Sequence, residues 1–420
     1  MKDKQLYQQI LGLTKPWVVR DVQLELAERR VVVHVGHEKG VRLGCPRCDA
    51  PSPVYDHRKR EWRHLDTCQL MTVIQADVPR VDCAEHGVVQ VAVPWAEAGS
   101  GFTAMFEALA ISWLHEASIK AVADMLNLTW DQVDGIMARA VCRGMATRET
   151  KPVEELGIDE TSYQKRHEYV TVLIDRDRDI VVDVLDGRKK ADLKAWLEAI
   201  PEDERNRLRH VSMDMWEPYI NAVNETMTDA EEKICFDRFH VSQHFGKALD
   251  KVRAQEHRSL LSEHGESPLT STKHQWLRNA HRTDNRGRRD FMALTRMHLR
   301  TARAWAIKET AADLWDYAYR ASAAKAWARL LGWMSRCRLQ PLIRVGRMIR
   351  KYLWGILNAI IASVTNSLAE SKNARIQKIK ATACGFRNRA RFRRSILFHL
   401  GGLDLMPPGI GDMCCAHTNS

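Results

Sequence analysis

The spacing of apolar and polar residues changes several times along the chain, and each change predicts a different kind of structure. Near the start, short β-branched runs such as Val31–Val35 and Met71–Val78 lie among cysteines, prolines and basic residues. Runs of this kind favour strands. Residues 1–98 are therefore predicted to form a small β-rich module.

From Phe102 the apolar residues recur at steps of three and four, which is the spacing of a helix. Two shorter helical patterns follow, and Ser118 and Thr129 have side chains that cap helix N-termini. Residues 99–150 are therefore predicted to form a helix-turn-helix.

Residues 151–244 alternate between strand and helix patterns. The predicted order is three strands, a helix, a strand, a second helix and a last strand, at 156–159, 169–174, 180–185, 193–200, 209–214, 216 onwards and 233–236. This is the order of an RNase H-like core, whereas periodicity alone supports only an α/β domain.

Residues 245–362 form an almost continuous helical pattern with six tryptophans, which predicts an all-α insertion. A final helix near Leu368–Lys380 and a basic tail complete the core over residues 363–403, and residues 404–420 are expected to be flexible. The predicted fold class is multidomain α+β.

The chain of 420 residues has a formal net charge of +11, which favours a polyanionic partner such as nucleic acid. No apolar run is long enough for a membrane helix, and the first residues lack the pattern of a signal peptide. We therefore expect a cytoplasmic protein without a membrane partner.

Two pairs of metal-ligating residues, each spaced by two residues, lie in the β-rich module. They are Cys45 with Cys48 and Cys83 with His86. Four such ligands complete a tetrahedral structural zinc site. Ordinary buried cysteines are the alternative, but the repeated paired spacing favours zinc. Cys68 has no partner at this spacing and is expected to be buried as a small hydrophobe.

Two segments are candidates for contact with DNA. Between the ligand pairs lies a segment in which cations alternate with Trp62. We expect it to be a loop that contacts phosphates or a solvated basic loop. Its cations are Arg58, Lys59, Arg60 and Arg63. The second short helix of the helix-turn-helix would present its first turn to base edges, with Thr129, Trp130, Gln132 and Val133. Gln132 could read adenine. Acidic Asp131 and Asp134 oppose phosphate binding, and helix packing alone is the alternative.

Asp159 and Asp214 each end a predicted hydrophobic strand, so neighbouring strand ends could bring the two carboxylates together. Magnesium, or manganese in its place, would relieve their repulsion and leave waters for a substrate phosphate. Two ions would activate the attacking oxygen and stabilise the leaving oxygen of an in-line displacement. Either aspartate alone is also typical of a turn or helix cap. Glu160, Asp237 and Glu217 are nearby rivals.

Glu370 is the candidate third acid, because Asn366, Glu370 and Asn373 lie at helical spacing on one face. Ser367 and Glu370 also match a capping box, in which Glu370 would only satisfy a backbone N–H. From Ser371 to Leu403 no residue is acidic, and the many cations there are expected to face a phosphate backbone, including Lys372, Arg375, Lys378, Arg387 and Arg391.

Together these residues resemble the bacterial insertion-sequence transposases of the ISL-three group, which are of the DDE class. The resemblance covers nearly the whole chain. It includes the two ligand pairs, Trp62-Arg-His-Leu-Asp66, Val93-Pro-Trp-Ala96, Gly157-Ile-Asp-Glu160, Asp237-Arg-Phe-His240, Asn366-Ser-x-x-Glu370-Ser-x-Asn373 and Gly385-Phe-Arg-Asn388.

The resemblance implies an RNase H-like catalytic core with a helical insertion, and binding of the element's terminal inverted repeats by the N-terminal modules. It places the catalytic triad at Asp159, Asp214 and Glu370, with His240 and Asp237 in support. It also implies cleavage at the element's ends, joining to target DNA, a homodimer or higher oligomer on DNA, and a nucleoid-associated bacterial protein. A zinc and helix-turn-helix regulator without catalysis is the alternative, and a host nuclease of the same fold is a third hypothesis.

Overall fold

The computed structural model describes residues 3–38, 40–149, 151–164, 168–278, 285–363 and 367–410, without the side chains of 285–290 and 367–370. These residues divide into two compact units. One comprises the chain up to Glu149 together with the segment from Leu403, and the other comprises the chain from 151 to Gly402. The six predicted segments are thus grouped more coarsely in the structure.

The first unit begins with a helix and a β-sheet. Its elements are α1 (Asp3–Ile10), β1 (Trp17–Glu25), β2 (Arg30–His37), β3 (Leu43–Gly44), β4 (Pro51–Ser52), β5 (Val54–Thr67), β6 (Leu70–Cys83) and β7 (Gly87–Gln90). The main sheet has the order β1-β2-β6-β5, with β7 paired to β6. The predicted β-rich module is confirmed, and both of its predicted runs lie in strands.

Three helices complete this unit: α2 (Ala104–Glu116), α3 (Ile119–Leu126) and α4 (Trp130–Thr147). The hydroxyl of Ser118 accepts a hydrogen bond from the backbone N–H of Ala121 at the start of α3. The hydroxyl of Thr129 accepts one from the N–H of Gln132 at the start of α4. Both predicted caps are therefore confirmed, and they mark the two helix starts that the sequence indicated.

The sheet and the helices of this unit share a rigid junction. The Trp95 ring packs edge to face on Trp17 and on Trp62, with centroids 5.0 and 5.4 Å apart. The backbone N–H of Arg63 donates to the carbonyl of Gly101, and the N–H of Thr103 donates back to the carbonyl of Arg63. The tryptophan motifs therefore hold the β-sheet against the entry to α2, which explains why the two predicted modules form one unit.

Residues 404–410 are also part of this unit, so the prediction of a flexible end is wrong for them. The Arg143 guanidinium of α4 donates to the backbone carbonyl of Leu405 over 2.6 Å. The side chains of Leu405 and Ile410 are buried. The apolar residues of this short segment, interrupted by two prolines and a glycine, showed no helix or strand spacing from which the packing could be predicted. Residues 411–420 lie outside the described part of the chain.

The second unit is built around a mixed sheet. Its first elements are β8 (Glu155–Gln164), β9 (Glu168–Asp175), β10 (Ile180–Asp186), α5 (Lys190–Ala199), α6 (Glu202–Asn206), β11 (His210–Met213), α7 (Glu217–Thr226), α8 (Ala230–Lys233) and β12 (Ile234–Phe236). The strand order is β10-β9-β8-β11-β12. Strands β8, β9 and β10 are antiparallel neighbours, whereas β11 runs parallel to both β8 and β12. The predicted order of elements is confirmed, with α6 and α8 as short additions.

Helices follow for most of the remaining chain: α9 (Arg238–His264), α10 (Lys273–Leu277), α11 (Asn285–Arg296), α12 (Arg300–Asp313), α13 (Arg320–Arg336), α14 (Gln340–Ile361), α15 (Ser367–Thr382) and α16 (Arg389–Leu400). One hydrophobic core extends from Leu156 in the sheet through Trp276 and Trp327 to Ile360. The helical segment therefore shares its core with the sheet. Helix α9 also crosses the predicted boundary at 244 without interruption.

The predicted basic tail contains helix α16, so the expectation of a single final helix is wrong. Phe392, Ile396 and Leu400 are buried and recur at steps of four. That spacing places them on one helix face. The arginines among these apolar residues made the segment resemble a basic tail, so its helical spacing was not recognised in the sequence.

Candidate functional site

Asp159 and Asp214 lie where strands β8 and β11 separate. The pairing of the two strands ends at Gly157 and Ser212. Asp214 directly follows β11, as predicted, but Asp159 lies inside β8, which continues to Gln164 because β9 pairs along it. The prediction that Asp159 ends its strand is therefore wrong, although the two aspartates do line one small pocket.

Asp237 and His240 line the same pocket. Asp237 follows β12, and its carboxylate caps α9 by accepting a hydrogen bond from the N–H of Phe239 over 2.7 Å. One turn later, His240 places Nδ1 3.4 Å from an Asp214 carboxylate oxygen and Nε2 3.8 Å from an Asp237 oxygen. The imidazole therefore lies between two of the three acids.

The Asp159 carboxylate is held from two sides. Its Oδ1 accepts a hydrogen bond from the backbone N–H of Glu160 over 2.7 Å, and its Oδ2 accepts one from the side-chain amide of Asn373. Each carboxylate oxygen has a second lone pair. The carboxylate is thus oriented while both oxygens can still bind a cation.

One face of α15 follows strand β8. One turn after Asn373, the amide of Gln377 donates to the hydroxyl of Thr161 over 3.3 Å. The Lys380 ammonium then donates to the carbonyl of Ser162. Residues one turn apart on this face therefore contact successive positions of the strand that carries Asp159.

The electrostatics of the pocket favour a bound cation. Burial raises the pKa of Asp159 above its usual range, and the nearby charge of Asp214 raises it further. Burial also raises the pKa of Asp237, to about 6, with contributions from Asp159 and Asp214. The charge of His240 opposes both shifts. Three acids around one histidine carry excess negative charge, which a divalent cation would neutralise.

Glu370 belongs to α15, one helical turn before Asn373. Its side chain, like the whole of Asn366, lies outside the described residues. The rivals named from the sequence are easier to place. Glu160 is directed away from Asp159, since adjacent strand residues face opposite sides of a sheet, and it pairs with Arg188 over 3.6 Å. Glu217 is exposed and pairs with Lys351.

The four predicted zinc ligands converge at the N-terminal sheet. The sulfur of Cys48 is 3.7 Å from the sulfur of Cys83, and His86 Nδ1 is 3.8 and 3.7 Å from the sulfurs of Cys45 and Cys83. Tetrahedral zinc with bonds of about 2.3 Å to sulfur requires ligand atoms about 3.8 Å apart. The cluster therefore has the donor set and the spacing of a structural zinc site. Cys68 is exposed in the β5–β6 turn, so its predicted burial is wrong.

The basic segment between the ligand pairs lies on strand β5, so the prediction of a loop is wrong. Arg58 and Lys59 are exposed. Arg60 lies 5.4 Å from the Trp62 ring centroid and donates to Gln90, and the Arg63 side chain pairs with Asp66. Arg58 and Lys59 are thus better suited to phosphate contact than the other two.

The first turn of α4 is engaged in a capping box. The carboxamide oxygen of Gln132 accepts a hydrogen bond from the N–H of Thr129 over 2.9 Å. Two-point reading of adenine uses that oxygen, so Gln132 would have to release the cap to read a base. Val133 is fully buried and cannot reach DNA. Trp130 is partly exposed.

The cations near the C-terminus have different roles. Lys372 is buried, and its ammonium is 2.9 Å from an Asp179 carboxylate oxygen, so its predicted DNA contact is wrong. Arg375 is exposed and donates weakly to the carbonyl of His399. Lys378 and Arg387 are exposed and Arg391 is partly exposed. The sequence could not distinguish the buried cation from the exposed ones because all lie in one basic run.

Three family models match successive parts of the chain. The zinc-finger of transposase IS204/IS1001/IS1096/IS1165 matches residues 42–86, and the helix-turn-helix domain of transposase family ISL3 matches residues 91–141. The DDE model of the same family, described as Transposase, matches residues 156–396, more than half of the chain. It covers the α/β segment, which supports the transposase over the regulator without catalysis.

Two curated relatives extend over almost the whole chain. The transposase for insertion sequence element IS1557 of Mycobacterium tuberculosis is 27% identical over 92% of this chain and 93% of its own length. The transposase for IS1001 of Bordetella parapertussis is 23% identical over 93% of this chain and 97% of its own length. The chain belongs to the ISL3 family of DDE transposases, enzymes that cleave DNA and transfer its strands.

Proposed function

We propose that Asp159, Asp214 and Glu370 are the catalytic acids of this transposase, with Asp237 and His240 in support. The observation that carries the proposal is the convergence of Asp159 and Asp214, with Asp237 and His240, in one pocket where β8 and β11 separate. Three carboxylates from separate strands at one place are costly unless they bind a cation.

The register of α15 along β8 is the support for Glu370. Asn373, Gln377 and Lys380 contact Asp159, Thr161 and Ser162 in turn. Position 370 lies one helical turn before Asn373, the residue of α15 that contacts Asp159. The register therefore supports Glu370 as the third acid.

The topology supports an RNase H-like catalytic core formed by residues 151–244 and 363–403. Three antiparallel strands are followed by two that run parallel to the first, in the order β10-β9-β8-β11-β12. In this proposal the helices between 245 and 362 are an insertion that packs on the core before the last acid.

The donor set of the pocket fits magnesium, or manganese in its place. It consists of carboxylate oxygens, which magnesium prefers, with one histidine between them. Asp159, Asp214 and Glu370 would hold the metal, which when bound would activate the attacking oxygen and stabilise the leaving oxygen of a phosphodiester. Asn373 and the backbone of Glu160 orient Asp159, and His240 keeps Asp214 and Asp237 apart.

Both units contact DNA in this proposal. The helix-turn-helix and the zinc site belong to the unit that we assign to the terminal inverted repeats of the element. Arg58, Lys59, Arg375, Lys378, Arg387 and Arg391 are the cations that we retain as phosphate contacts. Because two element ends are cut and joined to target DNA, we propose that the active form is at least a homodimer.

Asp159→Asn and Asp214→Asn test the catalytic assignment. Each variant should bind the DNA that flanks its gene as the wild type does, and lose magnesium-dependent cleavage by at least about 1000-fold, as expected when a metal ligand is removed. Asp203→Asn, an exposed aspartate of α6, is the matched control. Cleavage by Asp159→Asn at the wild-type rate would refute the assignment. A strand-transfer assay distinguishes the transposase from a nuclease, which would cut without joining.

A further inference from the structure

A long part of the helical segment contains no acidic residue. Between Asp316 and Glu370 there is no aspartate or glutamate, while nine cations occur, at Arg320, Lys325, Arg329, Arg336, Arg338, Arg344, Arg347, Arg350 and Lys351. These residues lie on helices α13 and α14 or the turn between them. The nine positive charges of this stretch are therefore balanced by no acidic residue within it.

Helix α13 is amphipathic, with an apolar face in the core and a basic face in solvent. Its buried residues are Ala323, Trp327, Leu330, Leu331 and Met334. On the opposite face, at steps of four, four and three, lie the exposed residues that we call the basic stripe: Lys325, Arg329, Trp333 and Arg336. The Trp333 side chain is 37% exposed.

The cations of the basic stripe have no counterion among the residues that the structure describes. Other cations of the same helices are neutralised or bonded: Arg320 donates to Asn358 over 2.7 Å, and Lys351 pairs with Glu217. Like charges four residues apart on a helix destabilise it. A polyanion on this face would remove that repulsion, so the stripe has the charge pattern of a nucleic-acid surface with an interleaved aromatic ring.

Fixed contacts join this helix to the catalytic pocket. Arg238, the residue after Asp237, donates to the carbonyl of Ala312 and lies 5.8 Å from the Trp315 ring centroid. Trp315 in turn packs edge to face on Trp327, on the buried side of α13, with centroids 6.4 Å apart. The buried side of α13 is therefore connected through Trp315 to the start of α9, which carries His240.

We propose that the basic stripe holds target DNA through the phosphates of its backbone. Contacts to the phosphate backbone carry no direct sequence information, so binding through them would be independent of sequence. From Lys325 to Arg336 it spans about 16 Å at about 1.5 Å per helical residue, so its three cations can each contact a phosphate of one DNA backbone. The proposal rests on the proposed function, in which the second chemical step requires a second duplex.

The test is the triple variant Lys325→Gln/Arg329→Gln/Arg336→Gln of the full chain. Its control is Lys189→Gln/Arg207→Gln/Lys251→Gln, which removes the same charge from exposed positions elsewhere in the same unit. Binding of a duplex of unrelated sequence is measured by fluorescence anisotropy against salt concentration. Strand transfer of pre-cut ends and cleavage of the flanking DNA of the gene are measured with magnesium.

We expect the stripe variant to bind unrelated DNA with a salt slope about 2 to 3 lower, since each phosphate contact contributes about 0.9. Strand transfer of pre-cut ends should fall at least about 10-fold, while end binding and end cleavage stay within about 2-fold of wild type. The control should leave the ratio of transfer to cleavage unchanged. Should the triple variant fail to fold, Arg329→Gln alone should lower the salt slope by about 0.9 while Arg329→Lys, which keeps the charge, should not, and equal slopes for the two would overturn the proposal.

Equal loss of cleavage and transfer would overturn the proposal, because the stripe would then hold the element's own DNA. Unchanged binding and transfer would also overturn it and leave a solvated face. The salt dependence of DNA binding is measured without catalysis. It therefore tests the basic stripe even if Asp159→Asn shows that the catalytic assignment is wrong.

Discussion

The side-chain amide of Asn373 donates a hydrogen bond to the carboxylate of Asp159. This bond joins the helix that carries Glu370 to the strand that carries the first aspartate. Glu370, the third acid of the proposed triad, is thus one helical turn from Asn373, which contacts Asp159, the first acid.

Asn373→Ala should therefore impair catalysis without impairing DNA binding. Loss of the amide leaves Asp159 free to rotate, and residues that orient metal ligands typically contribute 10- to 100-fold. We expect a fall of about that size in the rate of end cleavage, partly recovered at high magnesium concentration. Gln377→Ala, which loses only the contact with Thr161, is the control. A variant that cleaves as the wild type does at every magnesium concentration would contradict the positioning role.

Glu370→Gln distinguishes a metal ligand from a helix cap. As a ligand, Glu370 is required for chemistry, so the variant should lose cleavage and strand transfer while retaining end binding. As part of a capping box with Ser367, it would contribute only about 1 kcal/mol of stability. Ser367→Ala is the matched variant that removes the cap alone. If both variants show the same small loss of stability and normal cleavage, Glu370 is a cap.

Zinc removal should unfold the module that contains Cys45 and Cys83. Cys48→Ala leaves three ligands for an ion that requires four, and structural zinc contributes its binding free energy directly to folding. We expect zinc release in a colorimetric assay, loss of end binding and loss of hydrogen-exchange protection in β6. Cys68→Ala, at the exposed β5–β6 turn, should do none of these. Normal zinc content in Cys48→Ala would show that Cys48 is not a ligand.

The first unit should lose stability in mild acid through His64. Burial lowers the pKa of His64 to about 4 in the fold, and its Nδ1 contacts the hydroxyl of Thr103 at 2.9 Å. As the pH decreases, His64 is therefore protonated in the unfolded chain before it is protonated in the folded chain. The free energy of unfolding falls as the pH decreases from about 6.5 to about 4. The free energy lost is at most about 3.5 kcal/mol, at about 1.4 kcal/mol per pKa unit.

His64→Gln keeps a polar group against Thr103 but removes this titration. Urea unfolding of both proteins between pH 7 and pH 4 should show a smaller decline for the variant, with zinc loss cancelling in the difference. Parallel declines would show that His64 is not responsible for the acid sensitivity.

Local spacing explains what could be predicted along the chain. The hydroxyls of Ser118 and Thr129 cap helices because the cap is made by residues three positions later. The zinc ligands likewise pair within four residues of each other. The strands around Asp159 and Asp214 were visible as runs of apolar residues. Their adjacency depended on the parallel pairing of β8 with β11, which no local pattern specifies.

The basic residues show where local spacing fails. Lys372 and Lys378 lie in the same run, but Asp179 lies against one of them and not the other. The acid-free segment that contains the basic stripe was also present in the sequence. Its importance became visible only when α13 buried Trp327 and left the stripe exposed.

The sequence by itself indicated the class of enzyme through motifs spread along the chain. It determined the two zinc-ligand pairs, the helix caps and the order of strands and helices, because each of these depends on residues close together in the chain. Only the tertiary structure decided which cations are paired, that α16 and residues 404–410 pack, and that Asp159, Asp214 and Asp237 share a pocket. These depend on contacts between residues far apart in sequence, whose cost in burial and charge is set by their neighbours in space.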